Sequence, residues 1–189
     1  IRQLVSSADI VIVNLPFAVV QKVGLDYESL KNIKQDIILV MASAFGSTGP
    51  YADRVGFDGV TQAMSGAMSL TGFPDVPVRS AVPFVDYGTA LHAACGALAA
   101  LYQRKETGRG QLVEVSLLET SVTCMLPLIA ERSATEIRRS RQGNAGFFAA
   151  PSDSYETRDG WIIVATIGNW MFARWAKLST GWLQTFPQP

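Results

Sequence analysis

Soft metal ligands are scarce in this chain, which has one histidine and two cysteines among its 189 residues. Cys95 and Cys124 show neither a Cys-x-x-Cys nor a His-Cys spacing, which argues against a metal site. Both lie in apolar, helix-like stretches, so the expectation is a pair of reduced core thiols in an intracellular, cytoplasmic protein. Net charge is lacking too, because sixteen basic side chains cancel sixteen acidic ones. A nucleic-acid partner calls for a basic field and a solvating arm for an acidic run, and neither is present. No uncharged apolar run approaches the roughly 20 residues of a bilayer-crossing helix, so no membrane partner is expected. The start, Ile1-Arg2-Gln3-Leu4-Val5, has no initiating Met and no secretory pattern, as expected of a chain that begins inside something longer.

What is present is apolar substance. Hydrophobic residues make up 48% of the chain and charged ones 17%, which excludes disorder and suffices for a packed core. The same content predicts association or poor solubility for residues 1–189 by themselves.

Residues 9–15 (Asp-Ile-Val-Ile-Val-Asn-Leu) form a β-branched run, the pattern of a parallel strand buried on both faces. Asn14 then falls at the carboxyl end of that strand, where open α/β sheets bind ligands. Residues 18–23 and 26–33 read as helices interrupted by Gly24, and 37–42 as a second buried strand. Strand, helix, strand implies a βαβ unit and a parallel sheet. A Gly-, Ala- and Met-rich stretch at 58–71 suits a short helix, and the prolines at 74, 77 and 83 make 73–83 an extended connector. Residues 86–104 predict a long helix, apolar around most of its circumference and hence buried. A strand at 111–117, a helix at 118–132, a loop at 133–150 and a hairpin turning at Arg158-Asp159-Gly160 complete the reading. No repeat is visible.

Three segments carry a resemblance. The first runs from Asn14 through Gly24 to Tyr27-Glu28. The second is Ala44-Phe45-Gly46-Ser47-Thr48-Gly49-Pro50-Tyr51, then Arg54-x-Gly56-Phe57-Asp58 and Gln62 to Gly72. The third is Pro83-x-x-Asp86, Gly88, Gly96 to Leu101, Arg104 and Thr107-Gly108-Arg109-Gly110-Gln111. Gly143-Asn144 to Ala150-Pro151 and Asp159-Gly160-Trp161 add to it. In order and spacing they resemble class III coenzyme A transferases of the CaiB/BaiF type. The first segment departs from the pattern, with Pro16 where a basic residue is expected and Phe17-Ala18 in place of Pro-Gly.

The resemblance implies an α/β fold with a Rossmann-like, parallel-sheet CoA-binding region at 1–132, incomplete at its start. It implies the beginning of a smaller α+β domain at 133–178, with an atypical tail at 179–189. Full family members form interlocked homodimers, and their substrates are an acyl-CoA and an acceptor carboxylic acid, with no permanently bound cofactor. Asp86 matches the family's nucleophile. Asn14, Leu15, Pro16 and Lys22 match one CoA-contacting segment, Val55, Gly56, Phe57 and Asp58 another, and Asn144 a residue of the acyl pocket.

Each of these residues also has a plainer reading. Asp86 suits a helix N-cap, and so does Asp58 for the helix that follows it. Asn14 suits a turn closing the strand, Lys22 a solvated helix lysine, and Asn144 a loop asparagine without a role. His92, six residues after Asp86, falls on a different helical face and reads as structural. Two other functions share the pattern. An α-methylacyl-CoA racemase requires a proton-carrying His just before the Asp of the second segment, where this chain has Phe57. A catalytically silent CoA-binding module would keep the fold and lose the chemistry.

Overall fold

A computed structural model describes residues 1–183. The chain divides into two compact units, Ile1–Ser69 with Val78–Arg138, and Leu70–Pro77 with the residues from Arg139 onward.

The first unit opens with α1 (Arg2–Ser7), β1 (Ile10–Val13), α2 (Phe17–Lys22), α3 (Tyr27–Lys31) and β2 (Ile38–Ser43). It continues with α4 (Asp58–Met64) and α5 (Ala67–Leu70). Gly66 separates these two at φ +90°, a backbone state that residues with a Cβ rarely take. Two short strands of the second unit follow, β3 (Gly72–Phe73) and β4 (Val76–Pro77). The first unit resumes with α6 (Phe84–Thr107), β5 (Leu112–Ser116), α7 (Leu117–Cys124) and α8 (Leu126–Thr135).

β1, β2 and β5 form a parallel sheet in that order, with Ile10 opposite Ile38 and Leu39 opposite Leu112. Alternation along β2 sorts the core. Leu39 and Met41 join Val5, Val20 and Leu30 of α1, α2 and α3 on one face. Ile38 and Val40 meet Ala97 and Ala100 of α6 on the other. At that contact a Cβ on Gly96 would lie 2.6 Å from Val113 Cγ1, so the bare glycine lets α6 approach the sheet. At the far end of α6, Arg104 bonds the Asp9 carboxylate at 2.8 Å and the Asp36 carbonyl at 3.0 Å. That joins the amino ends of two strands to the helix.

Four expectations need correction. β1 is not buried on both faces, because Ile12 is 72% exposed. α6 is not buried all round: only the stripe of Val85, Thr89, Ala97 and Ala100 is covered, while Tyr87, Leu91, Leu98 and Tyr102 are exposed. The sheet along its length, with α4 and α7 near its start, covers only one stripe of the helix. Cys95 and Cys124 are exposed rather than core, for they lie away from the faces that pack. Finally, α6 is long and apolar enough to cross a membrane by length and composition, which the count of uncharged residues alone had missed.

In the second unit β6 (Ser152–Thr157) and β7 (Gly160–Ala165) pair antiparallel about Arg158 and Asp159, and α9 (Gly168–Leu183) follows. β3 and β4 pair with each other, and Arg141 donates to the carbonyls of Phe73 and Pro74 at 3.0 and 2.9 Å. Of the tail 179–189, residues 184–189 lie outside the described residues.

Candidate active site

The first turn of α6 has amide groups that no helical carbonyl can satisfy. Pro83, at the N-cap, has no side chain able to accept them. The acceptor comes from elsewhere in the chain. Asp58 Oδ2 receives the amides of Val85 at 2.9 Å and Asp86 at 3.2 Å, while Asp58 Oδ1 accepts from Gln62 Nε2. Gln62 is itself held by the Ser80 amide, 3.0 Å from its Oε1. Asp58 is therefore a capping residue, as its residue type suggested, but for α6 rather than for α4, in whose first turn it stands. Sequence reasoning that looks only at neighbours cannot see a cap 27 residues away.

This exchange leaves the Asp86 carboxylate without a hydrogen-bond donor among the described residues. Partial burial raises its pKa above the usual carboxylate value, and the negative charge of Asp58 adds to the rise.

Asp86 faces a cleft of about 620 Å³ at the carboxyl ends of β1 and β2. Asn14, Leu15 and Pro16 line it from the β1 side, and Val55, Gly56 and Phe57 from the loop before α4. That loop packs tightly, since a Cβ on Gly56 would lie 2.9 Å from the Cβ of Ala44. Three predicted residues are not in the cleft. Lys22 ends α2 and does not line it, while Asp58 is buried in its capping role. Asn144 belongs to the second unit, where its Nδ2 donates to Ser154 Oγ at 2.7 Å.

Among the lining residues outside the predicted set, two stand out. Arg54 stands beside Val55, its guanidinium 4.7 Å from the centre of the Tyr51 ring. The signal was available, since Arg54 is the cation of the second segment nearest the predicted contacts. Thr89, one turn beyond Asp86, is the other. No group of three or more potential metal ligands exists among the described residues.

The family model for CoA-transferase family III matches residues 1–188. The chain belongs to CoA-transferase family III. It is 36% identical over 179 residues to the succinyl-CoA–D-citramalate CoA-transferase of Chloroflexus aurantiacus, covering 94% of this chain and 44% of that protein. To the human succinyl-CoA:glutarate CoA-transferase it is 32% identical over 179 residues, covering 94% of this chain and 41% of the relative. The crystal structure of a CaiB/BaiF family protein from Brucella suis superposes with a TM-score of 0.82 at 36% identity, over 94% of this chain and 47% of that one. The chain thus spans less than half the length of these relatives. Within this family III chain, the residue before Asp58 is Phe57, whose exposed ring cannot carry a proton.

Proposed function

We propose that the protein transfers coenzyme A from an acyl-CoA thioester to a carboxylic acid, with Asp86 as nucleophile. The observation that carries this reading is that Asp58 takes the amides of α6 and leaves the Asp86 carboxylate unengaged beside the cleft. Succinyl-CoA is the first donor to test, because the relatives named above act on it.

An Asp86 oxygen attacks the thioester carbon, and the carbon–sulfur bond breaks. The products are a mixed anhydride and CoA thiolate. The thiolate attacks the Asp86 carbonyl carbon, the anhydride C–O bond breaks, and the donor acid leaves as its carboxylate. The acceptor carboxylate then displaces the thiolate from the aspartyl thioester to form a second anhydride. Thiolate attack on the acceptor acyl carbon releases the new acyl-CoA and restores Asp86. Covalent catalysis of this kind splits one difficult exchange into easier steps and needs no net proton transfer.

Arg54 is the lining cation placed for a charge-assisted contact with a CoA phosphate. Asn14, Leu15, Pro16, Val55, Gly56 and Phe57 form the walls against the rest of the CoA moiety. A second copy of the chain would cover the exposed stripe of α6 in an interlocked homodimer.

The test is mass spectrometry of the intact protein after mixing with succinyl-CoA. A CoA or succinyl adduct on the Asp86 peptide, absent in Asp86→Ala, is expected. CoA exchange that persists in Asp86→Ala would overturn the assignment.

A further inference from the structure

Two neighbouring side chains on α4 hold three backbone amides of the segment that delivers Asp86. Asp58 and Gln62 stand one helical turn apart, so both side chains leave α4 on the same face. Asp58 Oδ2 receives the amides of Val85 and Asp86, and Asp58 Oδ1 receives Gln62 Nε2. Gln62 Oε1 receives the amide of Ser80 at 3.0 Å. The segment from Ser80 to Asp86 is thus pinned at both ends by the same two residues. Between the pins it turns on the Val82 carbonyl, which accepts from Ser80 Oγ at 2.9 Å and from the Phe84 amide at 2.8 Å. Asp58 and Gln62 are buried, at 7% and 2% exposure, where a mismatched polar contact is costly.

The polarity of this pair is fixed. The Ser80 amide can only donate, so the Gln62 atom that meets it must be the carbonyl oxygen. That turns Nε2, the donor end, toward the Asp58 carboxylate, which accepts. In Gln62→Glu two carboxylates would face each other. In Asp58→Asn the new amide would turn a donor toward either Gln62 Nε2 or the α6 amides. Exchanging the two groups keeps every bond. In Asp58→Asn/Gln62→Glu the amide oxygen at 58 takes the α6 amides and its nitrogen donates to the carboxylate at 62, which accepts the Ser80 amide.

We infer that Gln62 is a positioning residue for Asp86. With Asp58 it clamps the amides of Ser80, Val85 and Asp86, and it orients the Asp58 carboxylate so that one oxygen is committed to the turn carrying the nucleophile. Gln62 does not line the cleft, so it acts through Asp58 and the backbone. The catalytic part of this inference rests on the nucleophile reading above; the clamp does not.

The test is this reciprocal exchange in the intact protein, followed at neutral pH by CoA exchange from succinyl-CoA and by thermal unfolding. Gln62→Glu and Asp58→Asn should each lower kcat about tenfold with KM for succinyl-CoA within about twofold, the pattern of a misplaced nucleophile. The exchanged pair should melt above either single variant and return kcat to within about threefold of the parent. Additive losses in the double variant, in kcat and melting temperature alike, overturn the clamp. Recovered melting temperature without recovered kcat, or a Gln62→Glu loss that falls on KM alone, overturns the positioning role. If a single variant does not fold, Gln62→Met supplies the split between kcat and KM, and the exchanged pair must still fold and turn over. An exchanged pair that stays unfolded overturns the clamp. Absence of an acyl or CoA adduct on Asp86 overturns the nucleophile assignment instead, and the melting temperatures still decide the clamp.

Discussion

The Asp58 carboxylate receives the backbone amide of Asp86 at 3.2 Å, so one acidic residue holds the turn on which another is displayed. The arrangement separates two tasks that a single Asp at the helix start would have to share. It also fixes the sign of several measurable effects.

Removing the cap should weaken the fold and the chemistry together. Asp58→Ala strands the amides of Val85 and Asp86 and leaves Gln62 without its partner. Loss of a capping carboxylate costs about 2 kcal/mol at the upper end of measured caps. Thermal unfolding should show that loss, and Asp58→Asn, which retains an acceptor oxygen, should show less of it. Equal melting curves for Asp58→Ala and the parent would remove Asp58 from this role.

The pKa of Asp86 makes a prediction about pH. Its raised value means that the folded protein holds a proton which the unfolded chain has already released. Stability therefore falls as pH rises from the ordinary carboxylate range through the raised value, and it stays lower above it. Asp86→Asn should melt at a higher temperature than the parent at neutral pH and at the same temperature once both forms are uncharged at acid pH. For CoA exchange the ionised form is required, so the rate should drop as pH falls through the same window. Asp58→Asn should move that limb to lower pH, because the nearby negative charge is gone.

Arg54 and Lys22 are expected to behave differently toward acyl-CoA. Arg54 lines the cleft and Lys22 does not. Arg54→Ala should raise KM by about tenfold, the usual scale for one charge-assisted contact, while Lys22→Ala should leave it nearly unchanged. The reverse order would restore the sequence-based assignment of Lys22.

The contact between α6 and β5 offers a test that involves no chemistry. Gly96→Ala places a methyl where Val113 Cγ1 already stands, and overpacking of this kind costs about 1–3 kcal/mol. Combining it with Val113→Ala should recover part of the loss. Chemical denaturation of the single and double variants measures the coupling.

Much of this was legible in the residues. The β-branched runs at 9–15 and 37–42 gave β1 and β2 because period and residue type agree there. Gly24 marked the break between α2 and α3, and Arg158-Asp159 marked the hairpin turn. The cleft residue Asn14 followed from its place at the end of a parallel strand, while Leu15 and Pro16 were implied by the family resemblance. Other features depend on distance in sequence, which local pattern does not encode. Asp58 caps a helix that begins 26 residues later, and the Thr89–Thr120 pair spans 31 residues. Composition also misjudged α6. Small residues around a helix permit close packing on every side, but they do not supply the neighbours, so Leu91 and Leu98 stay exposed.

Arg104 grips the amino ends of the sheet from the opposite end of the helix that carries Asp86. Eighteen residues of α-helix separate the two, roughly 27 Å at 1.5 Å per residue. The scaffold therefore has a structural pole and a reactive pole joined by one rigid rod. Changes that reinforce the Arg104 pole lie well beyond a Debye length from the reacting carboxylate. A designer could stiffen that end freely, and natural drift there would go unseen by the substrate.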